Sequence, residues 1–176
     1  YLFHLYAAAG FRVGHFSSPH LIHFRERIIL SNRPVLDDEL VEEIRNLKGK
    51  LSASTWEQLT FFEINTLLAL VIFEKAQVEF AVLEVGLGGR LDSTNIVEPI
   101  MSIITNIGLD HVQYLGPTTA HIAREKAGIM RSCRTCIWGG MSGSDASSNQ
   151  VIRSCADEVG ATLVESGKDF NLTTDG

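Results

Sequence analysis

Apolar positions change their spacing from one segment of the chain to the next, in the way of a fold where helices and strands alternate. Tyr1 to Ala9 is helical in composition and closes at Gly10, and Arg12 to Phe16 is a short apolar strand. Arg25 to Val35 has extended character around a Ser31-Asn32-Arg33-Pro34 turn. A helix from about Asp37 to Leu47 follows, with Asp37 or Asp38 available to cap it, and Lys48 to Glu57 reads as a loop. Phe61 to Lys75 is so rich in apolar side chains that its helix should be buried around most of its circumference. Phe80 to Val85 and Ile100 to Ile107 are near-continuous apolar runs, the pattern of strands covered on both faces. Thr118 to Ala127 predicts a helix begun by Thr118 or Thr119 and stopped by Gly128, and Thr135 to Trp138 predicts another strand. A Gly/Ser-rich stretch from Gly139 to Ser148 leads to a helix near Gln150 to Val159 and a strand around Thr162 to Val164. The predicted class is α/β, a mostly parallel sheet flanked by helices, with no internal repeat.

Composition narrows this picture without changing it. A chain of 176 residues with 45% hydrophobic side chains has the size and apolar content of one packed domain. The longest apolar run, Leu67 to Phe73, is far short of the ~20 residues that cross a bilayer, so no membrane partner is expected. A formal charge of -6 argues against a nucleic-acid surface, which needs clustered Lys and Arg. No secretory signal is visible and the expected location is the cytoplasm, although a missing start leaves room for a lost targeting peptide. Cys133, Cys136 and Cys155 do not make a four-ligand zinc site, and Cys136 reads as a core residue of its strand.

Three predicted strands end in polar chemistry. One runs Ala81-Val82-Leu83-Glu84-Val85 and breaks into Gly86-Leu87-Gly88-Gly89-Arg90-Leu91-Asp92-Ser93-Thr94-Asn95; another ends in Ser17-Ser18-Pro19-His20, the third in Gly108-Leu109-Asp110-His111. In an open parallel sheet ligands bind beyond the carboxyl ends of the strands. Glu84 at such an end either orients Mg2+ against phosphates or satisfies nearby loop amides. His111 is either an imidazole ligand, unusual for Mg2+ because that ion prefers oxygen, or a hydrogen-bonded structural residue, with Asp110 placed to orient it or to bind a water. Ser18 before Pro19 either presents a hydroxyl to a metal or belongs to an ordinary turn. Lys126 near a helix end is by default a solvated cation at the negative pole of the dipole. Thr60 and Glu63 stand at the positions of a capping box. Gly86-x-Gly88 after a strand suggests a dinucleotide-binding turn, but Leu91 occupies the third glycine position and no long helix is predicted to follow.

Five motifs occur in order: Ser-Ser-Pro-His with Phe24-Arg25-Glu26-Arg27-Ile28; Leu59-Thr60-Phe61-Phe62-Glu63; the glycine run; Gly108-Leu109-Asp110-His111; and Arg124-Glu125-Lys126-Ala127-Gly128-Ile129. Together they resemble the folylpolyglutamate synthase and dihydrofolate synthase family, within the Mur-ligase-type ATP-dependent amide ligases, over nearly everything from Tyr1 to about Gly140. The resemblance implies an incomplete P-loop NTPase-like Mur ligase central domain. It implies Ser18, Glu84 and His111 as metal ligands and a carbamylated Lys126, with Lys126, His111 and Glu84 as the catalytic set. Ser17 stands where threonine is common in the family, which preserves a hydroxyl. Thr60, Phe61, Phe62 and Glu63, together with Leu91, Asp92 and Ser93, would border the pterin-bearing substrate, and Phe62 would stack on its ring.

The implied reaction uses Mg2+ and ATP to phosphorylate a carboxylate of dihydropteroate or folate, after which the amine of L-glutamate displaces phosphate. The family's phosphate-binding loop would lie upstream of the first helix, and no Gly-x-x-x-x-Gly-Lys-Ser/Thr pattern occurs in a chain that opens on Tyr1. The second, glutamate-ligase domain would lie downstream. The expectation is therefore a partial ATP-binding domain, inactive alone and monomeric when complete. The alternatives are a Mur-type ligase of cell-wall precursors, disfavoured by Thr60-Phe61-Phe62-Glu63 and the Ser-Ser-Pro-His loop, or a non-catalytic relic or interaction domain.

Overall fold

The computed structural model describes residues 1–31, 33–140 and 145–171. Asn32 of the expected turn and residues 141–144 of the Gly/Ser-rich stretch lie outside the described residues. The chain divides into two units, Tyr1–Gly86 and Leu87–Gly176.

The first unit runs α1 (Leu2–Ala8), β1 (Val13–Phe16), a 3-10 turn (Phe24–Arg27), β2 (Ile28–Leu30), β3 (Arg33–Pro34), α2 (Asp37–Lys50), α3 (Ala53–Gln58), α4 (Phe61–Lys75) and β4 (Phe80–Leu83). Its sheet has the order β3-β2-β1-β4. The β1–β4 ladder is parallel, pairing Val13 with Phe80 and Phe16 with Leu83, and β2 returns antiparallel along the other side of β1. That register ends β1 and β4 side by side, which places the segments after Phe16 and Leu83 at one sheet edge. The Glu84 amide continues the ladder by donating to Phe16 O at 2.9 Å.

Helix α4 covers this sheet. Gly14 of β1 admits it, since a Cβ there would lie 2.6 Å from the Phe73 ring. Phe16, Ile28, Leu68, Ala69 and Phe73 form the centre of the core, joined by Leu40 and Leu47 from α2. The expected helix is thus buried as its composition requires. Thr60 caps it: Thr60 Oγ1 accepts from Glu63 N at 3.2 Å and Glu63 Oε2 accepts from Thr60 N at 2.7 Å.

Two expectations for this unit need correction. Residues 48–57 are not a loop, because α2 continues to Lys50 and α3 follows at once. Lys48 and Lys50 sit favourably at the negative end of the α2 dipole, and Ser52 starts α3 by accepting from Thr55 N at 3.1 Å. Neither Asp37 nor Asp38 caps α2. Leu36 holds the cap position, its amide donating to Glu39 Oε2 at 2.7 Å, and the two aspartates lie in the first turn.

The second unit runs through a 3-10 turn (Ser93–Ile96), β5 (Met101–Ile104), α5 (Val112–Leu115), α6 (Thr119–Ala127), β6 (Thr135–Trp138), α7 (Ala146–Val159) and β7 (Thr162–Glu165). Its three strands are all parallel, in the order β5-β6-β7. The two sheets together are mostly parallel, with the antiparallel exception confined to β2 and β3.

Ile104, Cys136 and Trp138 from the strands share one core with Ile122, Ala123 and Ala127 of α6 and Ile152 and Ala156 of α7. Burial pushes the Cys136 thiol up to about 11, as suits a core cysteine. Helix α6 has the expected ends, Thr118 before it and Gly128 after it. Helix α7 begins at Ala146 rather than near Gln150, because Asp145 Oδ1 accepts from Ser148 N at 2.7 Å.

The apolar strand runs are not covered on both faces. In β5, Ser102 and Ile104 are buried, whereas Met101 and Ile103 are each 43% exposed; β4 contains no fully buried residue. Alternation along β5 sends 102 and 104 toward the core shared with α6 and α7 and turns 101 and 103 away from it. Among the described residues no helix is long and apolar enough to cross a membrane.

Candidate active site

The paired ends of β1 and β4 bring Ser18 and Glu84 together across 66 positions of sequence: the Ser18 amide donates to Glu84 Oε2 at 3.0 Å. Glu84 does therefore satisfy a loop amide. The same contact places a serine hydroxyl and a carboxylate, both hard oxygen donors, on adjoining residues, which is donor chemistry that Mg2+ accepts while keeping water in its remaining positions. Ser17 N donates to Arg27 O at 3.0 Å, and the Ser18-Pro19 peptide is cis.

The loop after Pro19 is organised by Glu26, a residue quoted in the motif without a role. Its carboxylate accepts from the amides of Leu21 at 2.8 Å, His23 at 2.7 Å and Ile22 at 3.2 Å, and those bonds, His23 foremost, hold its pKa low. His20 accepts from Arg27 Nε at 2.9 Å through Nδ1, so its ring serves the loop. The Arg27 guanidinium is 5.8 Å from the ring centres of both Phe24 and Phe61. Sequence reasoning left Arg27 aside, and the signal was in view: an arginine two residues after another inside an aromatic motif.

Thr60, Phe61, Phe62 and Glu63 form the first turn of α4. Phe61 is 64% exposed. Phe62 is half-buried, its ring 5.8 Å from that of Phe16 and pressed against the backbone of Gly86. The apolar ring is therefore held by Phe16 and by Gly86 and stays partly exposed.

Leu91, Asp92, Ser93, His111 and Lys126 belong to the second unit. Asp92 ties its own loop together, accepting from Leu87 N at 3.0 Å through Oδ2 and from Thr94 N at 2.9 Å through Oδ1. Leu91 is 79% exposed, and Ser93 opens the 3-10 turn. No long helix follows the glycine run, which removes the dinucleotide-binding reading. His111 precedes α5 in left-handed conformation at φ +50, its amide donating to Asp110 Oδ1 at 2.7 Å and its Nε2 3.7 Å from Asp110 Oδ2. Asp110 thus adjoins the imidazole at a distance longer than a hydrogen bond. Lys126 lies half-buried in the last turn of α6. Among the described residues of either unit, no three of His, Cys, Asp and Glu gather as a metal-binding group.

The chain resembles known proteins along nearly its whole length. The Mur ligase middle domain matches residues 38–165. A dihydrofolate synthase/folylpolyglutamate synthase of Escherichia coli K12 is 41% identical over 169 residues, covering 94% of this chain and 37% of that protein. The structure of E. coli FolC in complex with DHPP and ADP has a TM-score of 0.84 at 39% identity, over 97% of this chain and 39% of that one. A bifunctional folylpolyglutamate synthase/dihydrofolate synthase with Mn, AMPPNP and L-glutamate bound has a TM-score of 0.82 at 38% identity, over 93% and 38%. The chain spans about two fifths of the length of these relatives. It belongs to the Mur ligase middle-domain family, in the branch of the folylpolyglutamate and dihydrofolate synthases.

Proposed function

We propose that the protein containing this chain is an ATP-dependent ligase that adds L-glutamate to a carboxylate of folate or dihydropteroate through an acyl phosphate. The observation that carries the reading is the Ser18–Glu84 contact at the joined ends of β1 and β4. It brings a serine and a carboxylate residue to the sheet end beyond which an open parallel sheet binds ligands. The related proteins whose structures hold ADP, or AMPPNP with Mn, support a nucleotide and a divalent cation as companions.

Ser18 and Glu84, with His111 as a further ligand, would hold Mg2+, which when bound would supply positive charge against the negative charge developing on the phosphates. Phe62 would stack on the pterin ring, and Leu91, Asp92 and Ser93 are read as substrate-bordering residues of the second unit. Lys126 would first give up one proton to become the neutral amine, whose nitrogen bonds to the carbon of CO2 as one C=O π bond opens; a second proton then leaves, and the original cation has become an anionic carbamate able to help hold the cation cluster. Free thiols suit a reducing cytoplasm, and the complete enzyme is read as a monomer.

The test is an acceptor screen with the full-length protein, Mg-ATP and labelled L-glutamate. ATP-dependent label in dihydropteroate or a reduced folate supports the reading, and the preferred acceptor separates the two activities. Label entering only cell-wall precursors, or no acceptor at all, overturns it.

A further inference from the structure

The run Gly88-Gly89-Arg90 packs on the last turn of α6, the turn that carries Lys126. The Arg90 amide donates to Glu125 O at 2.8 Å, adding a second and shorter bond to a last-turn carbonyl that also accepts from Gly128 N at 3.3 Å. The Arg90 guanidinium then donates to Glu125 Oε1 from Nε at 3.1 Å and from Nη2 at 2.9 Å. One arginine thus grips the same glutamate by its backbone and by its side chain.

Two glycines make the approach possible. A Cβ at Gly89 would lie 2.8 Å from Glu125 O and 3.0 Å from Lys126 O, and a Cβ at Gly128 would lie 2.4 Å from Arg90 Cβ. Asn95 closes the contact from the other side, donating through Nδ2 to Arg90 O and to Gly128 O at 3.1 Å each. Asp92 meanwhile ties Leu87 to Thr94. Residues 87–95 and the end of α6 are therefore fastened to one another at four places, with Leu91, Asp92 and Ser93 on one side of the joint and Lys126 on the other.

We propose that Arg90 and Glu125 are positioning residues: their double contact joins the substrate-side loop to the helix end and sets where the Lys126 carbamate stands. The inference rests on the reading of Lys126 as carbamylated. A carbamate on lysine is reversible and persists where its surroundings are fixed, so loosening the joint lowers its occupancy and misplaces it without removing any group that touches substrate. The glycine run acts here as a cap on another element.

The experiment uses the full-length protein with 13C-bicarbonate, reading the carbamate carbon by NMR beside steady-state kinetics over a range of bicarbonate concentrations. Wild type shows a carbamate signal that Lys126→Ala lacks. Glu125→Gln keeps the shape of the side chain and weakens the ion pair. It is expected to fold, to lose about tenfold in kcat, and to need more bicarbonate for half-maximal rate while KM for ATP stays put. Arg90→Ala is expected to lose more, and Arg90→Lys to recover part of the loss. Wild-type kcat and bicarbonate dependence in Glu125→Gln and Arg90→Ala overturn the clamp while leaving the Lys126 carbamate in place. Absence of the carbamate signal in wild type overturns both.

Discussion

Gly86 lies against the ring of Phe62 so closely that a Cβ on residue 86 would come within 2.5 Å of Phe62 Cζ. The ring cannot retreat freely, because Phe16 backs it at 5.8 Å between centres. Gly86→Ala is therefore expected to turn Phe62 out of its seat. Overpacking of this kind costs about 1–3 kcal/mol of stability. If Phe62 stacks on the pterin, KM for the pterin substrate rises while KM for ATP holds. Chemical denaturation and substrate-specific kinetics read the two effects separately, and equal rises in both KM values would count against the stacking role.

Glu84→Gln separates the two duties of that side chain. The amide oxygen of glutamine still accepts from Ser18 N, so the melting temperature is expected to stay close to wild type. Loss of the anionic ligand is expected to remove several kcal/mol of transition-state stabilisation and to weaken Mn2+ binding measured by titration calorimetry. Activity within a few-fold of wild type at saturating Mg2+ would sink the metal assignment.

Thr60 holds the start of α4 through reciprocal bonds with Glu63. Thr60→Ala is expected to cost ~1 kcal/mol in a urea unfolding series, and Thr60→Ser to recover most of it. A Thr60→Ser protein as unstable as Thr60→Ala would show that the methyl group, rather than the cap, carries the effect.

Glu39 gives the fold an acid-sensitive element. The Arg33 guanidinium, and then the Leu36 amide, hold its carboxyl down from the ordinary 4.5 to about 2. A carboxyl whose pKa is depressed on folding contributes stability that is complete above the unfolded value and is lost as pH falls through the folded one. Its contribution should thus fade between pH 4.5 and about 2. Exposure and salt screening keep the effect modest. Glu39→Gln is expected to flatten that part of the curve of unfolding midpoint against pH, and a curve parallel to wild type through this window would remove Glu39 as a source.

Features whose cause lies within a few residues were legible in the chain. The capping pairs of α4 and α6, the burial of α4 and the core place of Cys136 all follow from neighbours in sequence. The same local reasoning missed α3, because Ser-Ala-Ser-Thr reads as loop until Ser52 is recognised as a cap with the hydroxyls of Ser54 and Thr55 gathered around its own. It also read β5 as doubly covered, since an unbroken apolar run does not say which face its neighbours cover.

By itself, then, the amino-acid sequence determined the alternation of helices and strands, the caps of α4 and α6 and the polar residues at the strand ends, because these depend on backbone preference and spacing. Tertiary structure alone decided which strand ends meet. Ser18 and Glu84 are joined by the parallel register of β1 and β4, and Arg90 reaches Glu125 across 35 positions because two glycines let a loop touch a helix end. Contacts at such separations are selected by the packing of whole elements, and no local pattern encodes their distance.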